Sequence, residues 1–233
     1  MYKRQIFNKS NQVFKNFNPY KIEISKNIKE IQHEFGDFYI PKIITINNGI
    51  DYNYNIVKSD SLLLVSTDCY LGDNIHYKSI PNYISMKMNV DYFVKDITES
   101  FLLDFIKYPV DRRFISKIIY HGKLIYSMNK ITDFNLEQII GISQENLNWL
   151  IENEDEIWEY FIKNSLIFST DISLDKRFIH DAPYSKFGLS IDFESSPMVG
   201  KWIGYNIVKS YQKKQSIELK NLVTMNEYAV SYT

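Results

Sequence analysis

Cysteine is almost absent from this 233-residue chain, and Cys69 is its one thiol. A single thiol forms no internal disulfide, so the chain is not a disulfide-stapled scaffold. No run of about 18 uninterrupted apolar residues occurs either, and we therefore expect no membrane-spanning helix. Cys69 closes an apolar stretch that begins at Leu62. This position predicts a small buried side chain rather than a reactive thiol.

Neither sign of charge is in excess, because 27 basic residues face 28 acidic ones and the formal net charge is −1. Proteins that bind nucleic acid usually gather positive charge on one face, and this sequence shows no such concentration. We therefore expect no nucleic-acid partner. Hydrophobic residues make up 45% and charged residues 24%. These proportions are typical of a folded domain and exclude an intrinsically disordered chain.

Alanine, with two residues, and arginine, with four, are also rare. Asparagine, isoleucine, lysine, tyrosine and phenylalanine together supply 111 of the 233 residues. These five amino acids share A- and T-rich codons, so an A+T-rich genome explains the bias. The abundance of lysine and tyrosine is therefore not interpreted as a binding signature.

The N-terminal third combines a tail, a helix and short strands. Residues 1–20 lack a clean hydrophobic period, and we expect a weakly ordered tail there. Ile24, Ile28 and Ile31 predict a helix over 25–34 that Gly36 ends. Three runs rich in β-branched residues, separated by turn signals, predict strands that form a small β-meander. They lie at 42–46, 52–58 and 62–67.

Beyond Pro81 the hydrophobic period becomes helical. Helices are predicted over 90–105, 114–126, a long segment capped by Ser143, 171–181, 200–214 and 219–225. The long helix is expected to turn inward Leu147, Leu150, Ile151, Trp158, Phe161 and Ile162. Gly200 and Gly204, four residues apart, predict close packing of their helix on a neighbour. The fold class is therefore α+β, with one mostly helical domain over 21–233.

The residues alone support no catalytic chemistry. Neither a nucleophile elbow nor a phosphate-binding glycine loop occurs. His33 begins the string of a zinc helix, but the second histidine is missing and Gly36 ends the helix. Asp68, Asp73 and His76 lack the spacing of a calcium loop. His180 is interpreted as a helix-end residue that complements the dipole.

Five strings give the sequence its individuality. They are DCYLG (68–72), IIYHGKLIY (118–126), ENEDEIWEYFIKNSLIFSTD (152–171), APYSKFGLSIDFESSP (182–197) and VGKWIGYNIVKSYQKK (199–214). In this order they resemble the gliding-motility lipoprotein GldB family of Bacteroidetes. The similarity extends from about Phe35 to about Met225, and the A+T-rich composition suits that bacterial group.

The resemblance implies a cell-envelope lipoprotein needed for surface gliding, with other envelope or gliding-machinery proteins as partners. It also implies a fold like that of gluzincin, or peptidase-MA-like, zinc metallopeptidases. In those enzymes one helix carries His-Glu-x-x-His, and a glutamate on a later helix completes the zinc site. The corresponding helix here reads Lys95-Asp96-Ile97-Thr98-Glu99, and His121-Gly122 stands where a peptidase would show Glu-Gly.

These substitutions argue against zinc chemistry. Lys95 would repel a metal cation and offers no lone pair at neutral pH. Glu99 and His121 alone fall short of the three protein ligands expected at a catalytic zinc. We therefore assign no catalytic, cofactor-binding or metal-ligating residue. The sequence predicts a non-catalytic pseudo-peptidase that acts through protein–protein contacts in a gliding or secretion apparatus.

Two alternatives stay open at this point. The first is a metal-dependent hydrolase with an atypical site made of Asp96, Glu99 and His121, since helical spacing brings the two carboxylates together. The competing interpretation is that Glu99 pairs at the surface with Lys95, four residues earlier. The second alternative is a module that binds a small molecule in a helix–sheet cleft.

The implied lipid anchor has no counterpart at the start of the sequence. The resembled family is anchored through a cysteine directly after its signal peptide, and residues 1–18 show neither an apolar signal core nor such a cysteine. We expect either an altered start or a relative without the anchor. By resemblance the localisation is the cell envelope, with membrane contact only through the anchor.

Overall fold

The computed structural model describes residues 2–72, 75–190, 192–227 and 230. The chain divides into two compact units, residues 1–101 and 102–233. Helices dominate, and a small three-stranded sheet lies in the first unit. The predicted α+β class with a helical majority is confirmed, and the single domain over 21–233 stays a prediction. None of the described helices combines the length and apolar character needed to cross a bilayer.

The first unit contains two N-terminal helices, the sheet and two further helices. In chain order the elements are α1 (Tyr2–Val13), α2 (Asn18–Phe35), β1 (Lys42–Ile46), β2 (Ile56–Lys58), β3 (Leu62–Ser66), α3 (Asn82–Ser85) and α4 (Val90–Leu102). Helix α2 ends at Gly36, as predicted, and this glycine has a φ of 90°. It begins earlier than predicted, because Pro19 is tolerated in the first turn of a helix.

The predicted β-meander is wrong in its strand order. The observed order is β1-β3-β2, with β1 parallel and β2 antiparallel to β3. Strand β3 is the most apolar of the three, and its Leu63 and Val65 are fully buried. The central position of a sheet suits the strand whose side chains are most buried. The tight connection at 59–61 still joins β2 and β3, and the segment 52–54, predicted as strand, is a 3-10 turn.

The N-terminal tail prediction is also wrong, because residues 2–13 form α1. Ile6 and Ser10, four residues apart, are buried on one side of this helix. The Ser10 hydroxyl donates to Oγ1 of Thr67 at 2.7 Å, which ties α1 to the end of β3. Phe14 follows the helix and packs on Phe93 of α4 with ring centroids 4.8 Å apart. Aromatic packing, which a periodicity search does not detect, therefore orders this segment.

In the described part of the second unit all regular elements are helices. Its elements are α5 (Phe114–Ile131), α6 (Leu136–Ile140), α7 (Gln144–Glu152), α8 (Glu154–Lys163), α9 (Ser173–Phe178), α10 (Val199–Gln215) and α11 (Leu219–Thr224). The predicted cap of α7 is confirmed, since Oγ of Ser143 accepts from the Asn146 N–H at 3.1 Å.

The long helix predicted after Ser143 breaks in two at Asn153. This residue leaves helical geometry at φ −112° and ψ 19°, and its side-chain amide donates to the Trp149 carbonyl at 2.8 Å. The break rotates α8 relative to the predicted helical phase. Ile162 of α8, predicted to face inward, is therefore more than half exposed. Ile151, also predicted to face inward, lies on α7 before the break and is more than half exposed as well. Leu147, Leu150 and Phe161 are buried as predicted.

Helices α5 and α10 cross at glycines. A Cβ on Gly204 would lie 1.8 Å from the Ile118 carbonyl oxygen, and one on Gly122 would lie 2.1 Å from the Gly204 carbonyl oxygen. A Cβ on Gly200 would meet the Phe178 carbonyl oxygen at 2.9 Å. Only glycine permits this backbone approach. The predicted packing role of Gly200 and Gly204 is confirmed.

Candidate functional site

The candidate site of the first unit lies on α4, where the sequence places Lys95, Asp96 and Glu99. Asn89 starts this helix, because its side-chain oxygen accepts from the Asp91 N–H at 2.9 Å. Phe93 and Ile97, four residues apart, are fully buried and fix the helix on the core. Helical geometry then directs 95, 96 and 99 to neighbouring positions beside that buried stripe.

The ammonium group of Lys95 lies between the two carboxylates. Its Nζ lies 3.3 Å from Oδ1 of Asp96 and donates a hydrogen bond to Oε2 of Glu99. Only 8% of the Lys95 residue surface is exposed. The predicted Lys95–Glu99 pair therefore exists, but it is largely buried rather than at the surface. The site carries its own cation, covalently attached to the helix.

The second oxygen of Asp96 binds two neutral donors from other elements. Oδ2 accepts from the Tyr70 hydroxyl at 2.8 Å and from the Asn55 amide at 3.2 Å. The same amide nitrogen of Asn55 donates to the Tyr70 hydroxyl oxygen at 2.8 Å. Asn55 precedes β2, and Tyr70 follows the turn at the end of β3. The polar cluster thus joins α4 to the open end of the β2–β3 hairpin, where β2 begins and β3 ends.

Burial and charge shift the pKa values of this cluster in opposed ways. Burial by itself lowers the pKa of Lys95. The negative charges of Glu99 and Asp96 outweigh this effect and raise the pKa above its usual value, so the ammonium stays protonated. Burial raises the pKa of Asp96, and the charge of Lys95 only partly offsets that rise. Burial and the charge of Asp96 raise the pKa of the Tyr70 hydroxyl. Lys95 and Tyr70 therefore stay protonated at neutral pH, and the Asp96 carboxylate is held by contacts with Lys95, Tyr70 and Asn55.

His121, the third residue of the predicted alternative metal site, lies on α5 in the second unit. It is half-buried, and its ring contacts that of Tyr120 with centroids 5.0 Å apart. Burial, with the positive charges of Lys201 and His180, lowers the pKa of His121 to about 3. The imidazole is neutral at physiological pH, yet the same positive field opposes a metal cation. Among the described residues, no group of three or more His, Cys, Asp or Glu side chains is arranged to hold a metal ion.

The string DCYLG at 68–72 has a structural role. Asp68 is fully buried, and its carboxylate accepts three backbone N–H groups of the loop after β1, from Asn48, Gly49 and Ile50, at 2.8–3.3 Å. Asp73, which the sequence grouped with Asp68, lies outside the described residues. Asp68 therefore serves as the anchor of the loop at 48–50.

Cys69 and Gly72 complete the string. Cys69 is buried as predicted, and burial raises the pKa of its thiol, with Asp68 and Asp51 adding to the rise. Gly72 has a φ of 61°, a backbone conformation that side chains disfavour, and its N–H donates to the Met88 carbonyl at 2.9 Å. The string therefore fixes the chain as it leaves the sheet.

Sequence reasoning missed Asn55 and Tyr70 as partners of Asp96. They are separated from Asp96 by 41 and 26 residues, so no local spacing links the three. It also missed two buried lysines of α5. Lys117 pairs with Asp175 at 2.7 Å, and Lys123 donates to Glu227 at 3.2 Å. The only sequence signal for these buried pairs was the position of each lysine within an apolar stripe of a helix.

Comparison with known proteins gives one family. The model of the family described as gliding motility protein GldB matches residues 1–230, which extends the resemblance to segments on both sides of 35–225. No curated protein and no solved structure matches the chain. A family match over nearly the whole length, together with the confirmed glycine crossing inside its strings, leads to one conclusion: the chain belongs to the gliding motility protein GldB family.

Proposed function

We propose that this protein is a non-catalytic component of the bacterial cell envelope that binds other proteins of a gliding or secretion apparatus. Membership of the gliding motility protein GldB family supports a role in gliding motility. The proposal includes attachment to the membrane through a lipid rather than through a spanning helix. It also includes a Bacteroidetes source, as the composition suggests.

The observation that carries the non-catalytic part is the position of Lys95. Its ammonium already pairs with both Asp96 and Glu99, the two carboxylates that a metal-dependent hydrolase would need. A metal ion would have to displace a tethered cation that both acids hold. The positive charge of Lys95 therefore disfavours a metal ion at the carboxylates of α4.

We further propose that the domain descends from a zinc-peptidase-like fold that has lost its chemistry. In this proposal α4 corresponds to the catalytic helix of the peptidases. The polar cluster around Asp96 now joins this helix to the β2–β3 hairpin. The cluster would serve stability, and binding would take place elsewhere on the surface.

Clean deletion of the gene in the source bacterium tests the function. We expect loss of colony spreading or a defect in envelope assembly, restored by the wild-type gene on a plasmid. Complementation with Lys95→Arg, which keeps the positive charge, should also restore spreading. A deletion strain with unchanged motility and envelope would contradict the proposal.

A test of hydrolysis separates the two parts of the proposal. Purified protein should not cleave a mixed-peptide library, with or without added zinc. Zinc-dependent cleavage that disappears in Asp96→Asn would overturn the non-catalytic assignment and leave the envelope assignment intact.

A further inference from the structure

A groove in the first unit lies between α2 and the edge strand β1. Its volume is about 530 Å³. Ile24 and Ile28 of α2 form part of one wall, and Ile43 and Thr45 of β1 form part of the other. Phe17 and Ile40 add further apolar surface, whereas Lys21, Ser25, Lys29 and Gln32 add polar groups on the helix side.

Strand β1 presents an unpaired edge beside this groove. The Lys42 N–H donates to the carbonyl of Ser61, the residue before β3, at 3.0 Å, so residues 42, 44 and 46 direct their backbone groups toward β3. The backbone groups of Ile43 and Thr45 consequently face away from β3. In the described part of the chain no strand pairs with this side of β1. Free strand edges are templates for an added strand.

Helix α2 and the segment that leads into β1 and includes it border the groove over similar lengths. The lining residues of α2 run from Lys21 to Gln32, a rise of about 16 Å. Those on the opposite side run from Ile40, two residues before β1, to Thr45 within β1, about 16 Å in extended chain. A groove bounded lengthwise by a helix and a free strand edge fits an extended peptide, which gains backbone hydrogen bonds from the strand and packs side chains against the helix.

Two lysines define the charge of the occupant. Lys21 and Lys29 line the groove, are exposed, and form no ion pair with any described residue. They are eight residues apart on α2, which is about 12 Å along the helix. In an extended peptide this distance separates side chains four residues apart, on the same face, with one more side chain between them.

We propose that this groove binds an extended segment of a partner protein, added as a strand to β1, with the pattern acidic-x-apolar-x-acidic. The apolar side chain enters the groove between α2 and β1, and the two acids pair with Lys21 and Lys29. This inference rests on the proposed function, since it names the surface through which a non-catalytic envelope protein would bind its partner.

The probe is a fluorescein-labelled heptapeptide, Ser-Glu-Thr-Val-Thr-Glu-Ser, measured by polarisation with the full chain. We expect saturable binding in the micromolar range. A matched peptide with lysine at both glutamate positions should bind at least about tenfold more weakly. Lys21→Glu combined with Lys29→Glu should reverse this preference. The double reversal Lys3→Glu with Lys15→Glu, also exposed in the first unit but outside the groove, should keep it.

The backbone contribution is tested at Thr45. Proline is tolerated on an edge strand where the N–H faces outward, so Thr45→Pro removes one outward donor without breaking the β1–β3 pairing. We expect peptide affinity to fall about fivefold or more in Thr45→Pro and to stay within about twofold in Thr45→Val, which keeps the N–H. Circular dichroism of both variants verifies the fold.

Each remaining outcome decides the proposal. Two peptides N-methylated on alternate amides should differ, because an added strand uses only one alternate set. Equal binding of these two peptides, or no saturable binding of the parent, would overturn strand addition. If palmitate binds saturably, displaces the peptide and has the same affinity for Thr45→Pro as for the wild type, the groove binds an acyl chain instead. Full restoration of spreading by the Lys21–Lys29 reversal variant in the deletion strain would reject this surface while the proposed function stands.

Discussion

Gly122 and Gly204 approach so closely that a Cβ on Gly122 would lie 2.1 Å from the Gly204 carbonyl oxygen. The obstacle is backbone, which has no rotamer through which to move aside. Any side chain at this crossing must therefore separate α5 from α10. The second unit depends on this crossing, because α5 is buried over most of its length.

We expect Gly204→Ala to lower the free energy of unfolding by about 2–4 kcal/mol, since overpacking at a backbone contact forces the helices apart. The gain in helix propensity, about 1 kcal/mol, is included in that range. Urea denaturation measures the change. Ser210→Ala, on the exposed side of α10, is the matched control and should shift stability by less than about 0.5 kcal/mol. Equal effects of the two changes would show that the crossing tolerates a methyl group.

Lys95→Met should destabilise the protein strongly, because it leaves Asp96 and Glu99 as neighbouring, partly buried carboxylates without their cation. We expect a loss of about 2–4 kcal/mol at pH 7, reduced by the partial exposure of Glu99. The loss should shrink toward pH 5 as a proton replaces the missing charge. Lys163→Met removes an exposed lysine–glutamate pair, also four residues apart but in the opposite order, and should cost about 0.5 kcal/mol or less. Similar losses at both sites would contradict a buried role for Lys95.

His121 should make stability depend on pH below neutrality. Its folded pKa of about 3 lies below the unfolded value, so between those values the unfolded chain binds more protons. The stability is complete above the unfolded pKa and decreases as the pH falls. We expect a loss of about 1–2 kcal/mol between pH 6.5 and 4.5 that is absent in His121→Gln. An imidazole NMR titration with a midpoint near 6.5 would refute the shifted value.

The local features of the fold were predictable, whereas the pairings between distant segments were not. The end of α2 at Gly36 and the cap at Ser143 depend on adjacent residues, and both predictions were correct. The order of β1 and β3 depends on which strand has the most buried side chains in the folded sheet. Likewise, Asp96 meets Tyr70 only because the hairpin and α4 are already in place.

Metal content distinguishes the non-catalytic interpretation from the hydrolase. Protein purified without a chelator or a histidine tag should contain far less than one zinc or iron per chain by elemental mass spectrometry. Lys95→Ala should not acquire metal during the same purification. Close to one metal per chain, lost in His121→Ala, would revive the site of Asp96, Glu99 and His121.

Cys69 should react with a thiol reagent only when the protein unfolds, because burial and nearby acids keep the thiol protonated. We expect labelling of the native protein by Ellman's reagent to be at least about a hundredfold slower than labelling in denaturant. A cysteine introduced by Ser210→Cys on exposed α10 should react quickly in the native state. Rapid native labelling of Cys69 in the wild type would indicate local opening of the segment that follows β3.

The parallel pairing of β1 with β3 has a consequence for the order of assembly. Partners in the β2–β3 hairpin, such as Lys58 and Leu63, are five residues apart, whereas Lys42 and Leu62 are 20 residues apart. Closing the longer loop costs more entropy, so the hairpin should form first and β1 should join it late. Amide hydrogens of β1 should then exchange with deuterium before those of β3. The strand that offers its free edge to a partner would be the last part of the sheet to form and the first to open.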